Sequence, residues 1–343
     1  MHMADALISP AVGGTMWAVS AGLIAWCGRK LRQVKDDGLV PMMGVLGAFV
    51  FAAQMINFVI PGTGSSGHLG GGMILAILLG PYAAFVVIAS VLTVQALFFA
   101  DGGLLALGCN ILNLGFFPAF IAYPLIYKPI MGAAKQGARF WVGAMLAALA
   151  GLQMGAFAVV METTMSGISD LPFRTFVLLM QPIHLGIGVA EGLATAAVVS
   201  FVWQARPAAL AGSAASARAA AGGWRRAAAG LLLAAMVVGG ALSWFASAHP
   251  DGLEWAMGKV SVKAELASPG TGVHATLARI QERTAVLPDY GFRTAAPEPA
   301  ATAAEPAQWP AVSAGTSVAG LVGGLLTLLL AGLIGFALKR RAV

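Results

Sequence analysis

The sequence predicts an all-α integral membrane protein with about nine transmembrane helices, seven in a first unit and two in a second. Three observations lead there. Of 343 residues, 59% are hydrophobic and only 10% are charged, whereas soluble domains carry about 25% charged residues. Apolar stretches long enough to cross a hydrocarbon layer of roughly 30 Å recur along the chain. The basic residues behind the net charge of +6 sit in short runs beside those stretches. That placement marks topology in a membrane rather than a nucleic-acid surface.

The expected spans cover residues 9–27, 40–60, 69–80, 82–100, 104–126, 140–162, 178–203, 225–246 and 317–338. The third is short, because "LLGPYAA" places Pro81 inside what would otherwise be one long helix. Charge placement favours that break. With nine spans and the N-terminus outside, the C-terminus lies inside and fourteen of the twenty Lys and Arg fall in inside segments. Among them are Arg29, Lys30, Arg32 and the final "LKRRAV". Most of the others fall in one long outside segment, which counts little toward orientation. Eight spans would leave the basic loops of one half on the wrong side.

Residues 1–205 form the first unit, 206–223 a linker of small residues and 224–343 the second unit. In the second unit two helices flank an outside segment carrying "HPDGLEWAMGKVSVKAEL", followed by the Pro/Ala-rich "TAAPEPAATAAEPAQWP". In the first span Gly14, Ala18 and Gly22 recur every four residues. Such a row is expected to pack within the chain, or else against a partner subunit. Cys27 and Cys109 lie in or beside separate spans without metal-ligand spacing and read as structural.

The chemistry concentrates at the start. Residues 1–10, "MHMADALISP", contain Asp5 and no Lys or Arg, unlike a secretory leader. Removal of the initiator needs a small second residue and His2 is bulky, so the mature chain is expected to begin Met1-His2. Such a peptide offers three nitrogens in one plane: the Met1 amine, the His2 amide and the His2 Nδ1. They close a five- and a six-membered chelate ring and leave one position open. Ni(II) and Cu(II) reward strong in-plane donors of this kind, with some low-spin Co(II) sites alike. Tetrahedral Zn(II) suits them less.

A fourth nitrogen is within reach on the same membrane face. His68 sits in the outside loop "PGTGSSGHLGGG", whose glycines allow turns and close approach. Ser65 and Ser66 are candidates for hydrogen bonds that orient the ligands. Free imidazoles titrate near 6.5, so metal affinity is expected to fall steeply below roughly that pH.

Ionisable groups inside membranes tend to mark function. His184 and Glu191 in "HLGIGVAEGLAT" share one helix face, as an ion path or as a buried polar pair. Asn110 and Asn113 in "LGCNILNLG" read as glue between helices. Asp101 in "FADGGLLALG" lies at the outer end of a span, placed to cap the next helix or to draw cations inward. No G-x-x-x-x-G-K-[ST] run occurs, so no nucleotide hydrolysis by that route is expected, and no H-E-x-x-H run occurs either.

The Met-His start with "ADALISP", "QMINFVIPGTGSSGHLGGG", "ADGGLLALGCNILNLG" and "HLGIGVAEGLAT" together resemble the metal-specific subunits of nickel and cobalt energy-coupling factor transporters. The resemblance covers residues 1 to about 205, the M component. "PDGLEWA" at 250–256 resembles the nickel-type N component fused behind it. The resemblance implies a metal held by Met1, His2 and His68, the set that chelate geometry also reaches. One departure is the loop, where a threonine is expected beside Ser-Gly-His.

The resemblance further implies a transmembrane coupling subunit and cytoplasmic ATPases as partners, with no nucleic acid. It also implies a multi-pass location in the cytoplasmic (inner) membrane, among its lipids. The expected function is capture of Ni(II) outside for ATP-driven uptake, the metal being cargo with no bound cofactor. Co(II) is the alternative cargo. Two other readings are an ion-coupled permease using His184 and Glu191, and a membrane metalloenzyme.

Overall fold

A computed structural model describes residues 2–34, 36, 38–132, 137–205, 216–260, 268–293 and 309–340; for 216–224 and Arg340 it gives the backbone path alone. The Ser9 side chain accepts from the Val12 amide and Pro10 takes the first helical position, so α1 runs Pro10–Leu31 and ends on Arg29 and Lys30. Then follow α2 (Leu39–Gln54), a hairpin of β1 (Phe58–Ile60) and β2 (Ser65–Gly67), α3 (Gly72–Leu79) and α4 (Pro81–Phe99). The rest of the first unit is α5 (Leu107–Met131), α6 (Ala138–Ser166) and α7 (Phe173–Ala205). In the second unit α8 (Ser216–Gly240) and α11 (Ala314–Arg340) flank α9 (Gly252–Val260) and α10 (Gly272–Thr284).

Six helices among the described residues are long and apolar enough to cross a membrane: α1, α4, α5, α6, α7 and α11. The chain is therefore a multi-pass membrane protein. The third expected span is corrected. α3 has 8 residues, and eight residues rise only about 12 Å, too little to cross alone. Gly80, at φ 79, separates it from Pro81 and α4. Residues 206–215 of the expected linker lie outside the described residues, as do Met1 and most of the Pro/Ala-rich stretch. α8 starts at Ser216, still inside the stretch expected to be linker. The middle of α5, Leu112–Tyr127, is wound as a π-helix around Pro118 and Pro124. Neither proline has an N–H to give the helical ladder.

The segment between α2 and α3 descends into the bundle. The hairpin pairs Phe58 with Gly67 and Ile60 with Ser65. Below it the Gln54 side chain donates to the Gly70 carbonyl at 2.8 Å, and Gln95 donates to Gln54 at 2.8 Å. On the other side the Gly70 and Gly71 amides donate to the Glu191 carboxylate at 2.8 and 3.0 Å. Non-helical backbone survives at membrane depth only when its polar groups are met by protein in this way. α3 then follows from Gly72.

The second unit packs on α2. A Cβ added at Gly44 of α2 would stand 2.8 Å from the Leu328 carbonyl of α11. α8 and α11 approach closely at Gly239 and Gly320, a small-residue contact that stands in for the missing hydrophobic drive between helices in lipid. The row of small residues on α1 behaves otherwise than expected. Gly14, Ala18 and Gly22 are exposed, and a Cβ at Gly14 or Gly22 would meet nothing within 4 Å. Packing within the chain runs instead through Gly13, Ser20 and Gly28.

Gly71 has φ 78, and a Cβ there would lie 2.5 Å from Val50 Cγ1. The left-handed backbone and the overpacking together make Gly71→Ala cost about 2–4 kcal/mol. The detergent-solubilised variant is expected to melt several degrees lower. An unchanged melting temperature would mean that the descending loop is not held as described.

Candidate metal site

The N-terminal segment is seated by main-chain contacts. Asn110 accepts from the Met3 amide at 2.8 Å and donates to the Met3 carbonyl at 3.3 Å. The Gly103 amide donates to the same carbonyl at 2.9 Å, and Asp5 accepts from the Ala106 amide at 3.0 Å. Asn110 is therefore no glue between helices; it clamps residue 3. That clamp delivers His2 onto His68, whose rings stack with centroids 4.9 Å apart and planes 8° from parallel.

The proton positions follow from the partners. His68 Nδ1 lies 3.0 Å from the Leu69 carbonyl, an acceptor, so Nδ1 carries the proton and Nε2 keeps its lone pair. His68 Nε2 and His2 Nε2 are buried with no partner. Burial first, then the charge of the amino terminus, lowers His2 to about 3 and His68 to about 4, with His2 adding to the effect on His68. Both imidazoles are neutral at physiological pH and offer lone pairs.

Asp101 does not cap the next helix. Its Oδ1 lies 3.2 Å from His2 Nδ1 and its Oδ2 accepts from the Tyr290 hydroxyl. Burial raises both the Asp101 carboxyl and the Tyr290 hydroxyl. Because His2 Nδ1 faces Asp101, the chelating arrangement expected from the sequence needs this ring to turn about Cβ–Cγ. Met1 lies outside the described residues. Among the described residues no three His, Cys, Asp or Glu side chains gather to hold a metal.

The second unit covers this site. "PDGLE" opens α9 with a capping box: Asp251 accepts from the Leu253 and Glu254 amides at 2.8 and 2.9 Å, and Glu254 accepts from the Asp251 amide at 3.1 Å. Burial alone would raise the Asp251 carboxyl, but the amino terminus and His68 hold it well below the usual carboxylate range. Ser66 does not orient a ligand. Its hydroxyl donates to the His249 carbonyl at 2.7 Å and its amide to the Pro250 carbonyl at 2.8 Å. Ser65 bonds Thr63, whose carbonyl accepts from Trp255 at 3.0 Å. From α10, His274 pairs with the Ile8 carbonyl and Gln281 donates to the Gly102 carbonyl at 2.7 Å. His2, His68, Asp101 and Asp251 line one cleft of about 710 Å³.

The intramembrane groups separate. Glu191 holds the loop that carries His68, as described. His184 bonds the Met180 carbonyl through Nδ1 and leaves Nε2 without a partner. Asn113 donates to Glu162 of α6 at 2.7 Å. Sequence reading passed over Glu162, Gln54, Gln95 and Asp251. A lone carboxylate in "AVVMETTM" and the D-x-x-E spacing in "PDGLE" were the available signals for two of them. The two glutamines sit in apolar runs and gave none. Cys27 and Cys109 are free and buried.

Residues 2–209 match the family described as "Cobalt uptake substrate-specific transmembrane region", and residues 225–340 match the PDGLE domain. A fused nickel transport protein of Rhodobacter capsulatus is 32% identical over 223 residues, which is 62% of this chain and 64% of that one. A cobalt transport protein of Sorangium cellulosum is 30% identical over 214 residues, 60% of this chain and 93% of that one. A solved structure described as a truncated transition metal transporter matches with TM-score 0.53 at 28% identity, covering 60% of this chain and 99% of that one. The chain belongs to the family of substrate-specific transmembrane regions of cobalt uptake, carries a PDGLE domain behind it, and is a membrane component of metal uptake.

Proposed function

We propose that this chain captures Ni(II) outside the membrane in a four-nitrogen planar set made by the Met1 amine, the His2 amide, His2 Nδ1 and His68 Nε2. Residues 1–205 act as the metal-binding unit and 224–343 as its fused companion, joined by 206–223. Nine passages, the third made of the descending loop plus α3, put the N-terminus outside and the C-terminus inside. Support for that orientation is the gathering of the N-terminal segment, the hairpin, the Asp101 loop and α9 at one end. A transmembrane coupling subunit and ATPases on other chains supply the energy. Nickel is favoured over cobalt because a deprotonated amide in a planar field suits Ni(II) best. The fused nickel relative agrees with this, while the cobalt relative keeps Co(II) as second choice.

The observation that carries the reading is the clamp on Met3, which places His2 against His68 with both Nε2 atoms buried and unpartnered. Adding three residues before Met1 turns its amine into an amide, moves the new terminal amine out of chelating reach of His2 and leaves every side chain in place. The extended protein is expected to lose Ni(II) binding by roughly a hundredfold or more, read by metal analysis of the purified chain. Mass spectrometry of the mature protein checks that Met1 is retained and free. Equal loading of both forms would sink the proposal.

Binding should weaken as pH falls, for reasons that the buried imidazoles sharpen. The amine, with an ordinary pKa of about 8, and the amide both release protons to the solvent, so affinity drops about a hundredfold per pH unit between roughly 7 and 5. The imidazoles add to the loss only near pH 4 and below, since they stay neutral above it. A titration that bends near pH 6.5 would instead mean exposed histidines.

Glu191 also separates this reading from an ion-coupled permease. Its carboxylate is engaged by two loop amides, and hydrogen bonds to a charged group contribute about 1.5–3 kcal/mol. Glu191→Gln is therefore expected to weaken Ni(II) binding and uptake together. Uptake lost with binding intact would favour the permease.

A further inference from the structure

A second, smaller space shares His68 and Asp251 with the cleft. It has a volume of about 10 Å³ and is bordered by His68, His184, Asp251, Leu114, Leu152 and Ile187. That is room for a single water-sized body. Its walls are apolar except for three groups. His184 is 1% exposed, its Nδ1 lies 2.8 Å from the Met180 carbonyl, and its Nε2 is buried without a partner. The carbonyl can only accept, so Nδ1 is protonated and Nε2 presents a lone pair. His68 has the same tautomer for the same reason.

Two imidazoles, each with an unpartnered Nε2 lone pair, thus border one small space. Whatever occupies it must be an electron-pair acceptor or a double donor, a cation or a water. The Asp251 carboxylate at the wall adds negative charge that favours the cation. A buried imidazole left unpartnered is destabilising, and an apolar side chain at 184 would avoid that cost.

We propose that this space is an inner station for one dehydrated divalent transition-metal ion, held by Nε2 of His68 and Nε2 of His184. The proposal rests on the capture site described above, with which it shares His68. An ion moving inward keeps His68 while His184 replaces the amine, the amide and His2. It changes partners without ever being fully released into the membrane interior.

The test uses the full chain in detergent with Co(II) as the spectroscopic probe, and uptake assays in cells holding the whole transporter. His2→Ala dismantles the outer set and leaves the inner pair. This variant is expected to keep one Co(II) with imidazole-type absorption, weaker than wild type by roughly a hundredfold, and to lose it when His184→Gln is added. His184→Gln alone is expected to bind Ni(II) within about twofold of wild type and to take it up at least about tenfold more slowly. Co(II) absent from His2→Ala, or present and indifferent to His184→Gln, overturns the proposal, as does unchanged uptake by His184→Gln.

If His184→Gln does not fold, Gly252→Ala asks the same question. Its Cβ would stand 2.6 Å from Ile183 Cγ2 and 3.2 Å from His184 Cε1, taking up room in the space that Gly252 borders while leaving both imidazoles in the chain. It too is expected to remove the Co(II) that His2→Ala retains, and retention would count against the station. Should His2→Ala bind Ni(II) as tightly as wild type, the four-nitrogen reading fails, and the comparison at His184 still decides the inner station.

Discussion

Two buried problems solve each other where Glu191 meets Gly70 and Gly71. A carboxylate inside a helix bundle needs donors, and a stretch of extended backbone at that depth needs acceptors. Each supplies what the other lacks, at 2.8 and 3.0 Å. Gln54 and Gln95 close the opposite side of the loop. The place of His68 depends on this, since it lies two residues before Gly70. So does the start of α3 at Gly72, one residue past Gly71. A loop free to move at the surface could not hold an imidazole buried, neutral and opposite another chain segment.

The second half of the site is built from the other direction. Asn110, Gly103 and Asp5 fix residues 3 to 5 through the main chain, so the side chain of His2 follows with few freedoms left. Fixing a backbone residue costs roughly 1–2 kcal/mol. Here the cost is met by folding, before any ion arrives. His2 and His68 are thus brought together and buried by the fold itself.

Much of this was legible beforehand, and the limits have physical causes. Hydropathy and charge placement identify membrane helices because length and apolar content are what a bilayer tests. They mark α3 only as the short apolar stretch 69–80 ahead of Pro81, and say nothing of the loop backbone that leads into its 8 helical residues. His2 and His68 stand out because their surroundings are so poor in ionisable groups. The partners of Asn110, Asp101 and Ser66 were misread for one shared reason: each bonds a segment far away in sequence, Met3, Tyr290 and His249 respectively. Spacing within one helix or loop carries no trace of such pairings. Of the two readings of the small-residue row on α1, packing within the chain is not met, because period alone does not say which face of a helix its neighbours take.

The "PDGLE" turn joins the units by an economy of acceptors. A helix start leaves amides unpaired, and Asp251 with Glu254 satisfies three of them reciprocally. Asn or Ser in place of Asp251 would cap α9 nearly as well, so capping alone does not require a carboxylate. What the carboxylate adds is a negative charge set beside His68 and His184, in a space where charge is poorly screened. The glycine after it lets α9 come down onto Ile183 and His184, where a Cβ would collide. Charge and close approach therefore arrive together from one turn. Through that turn the second unit reaches the end of the first where His2 and His68 meet.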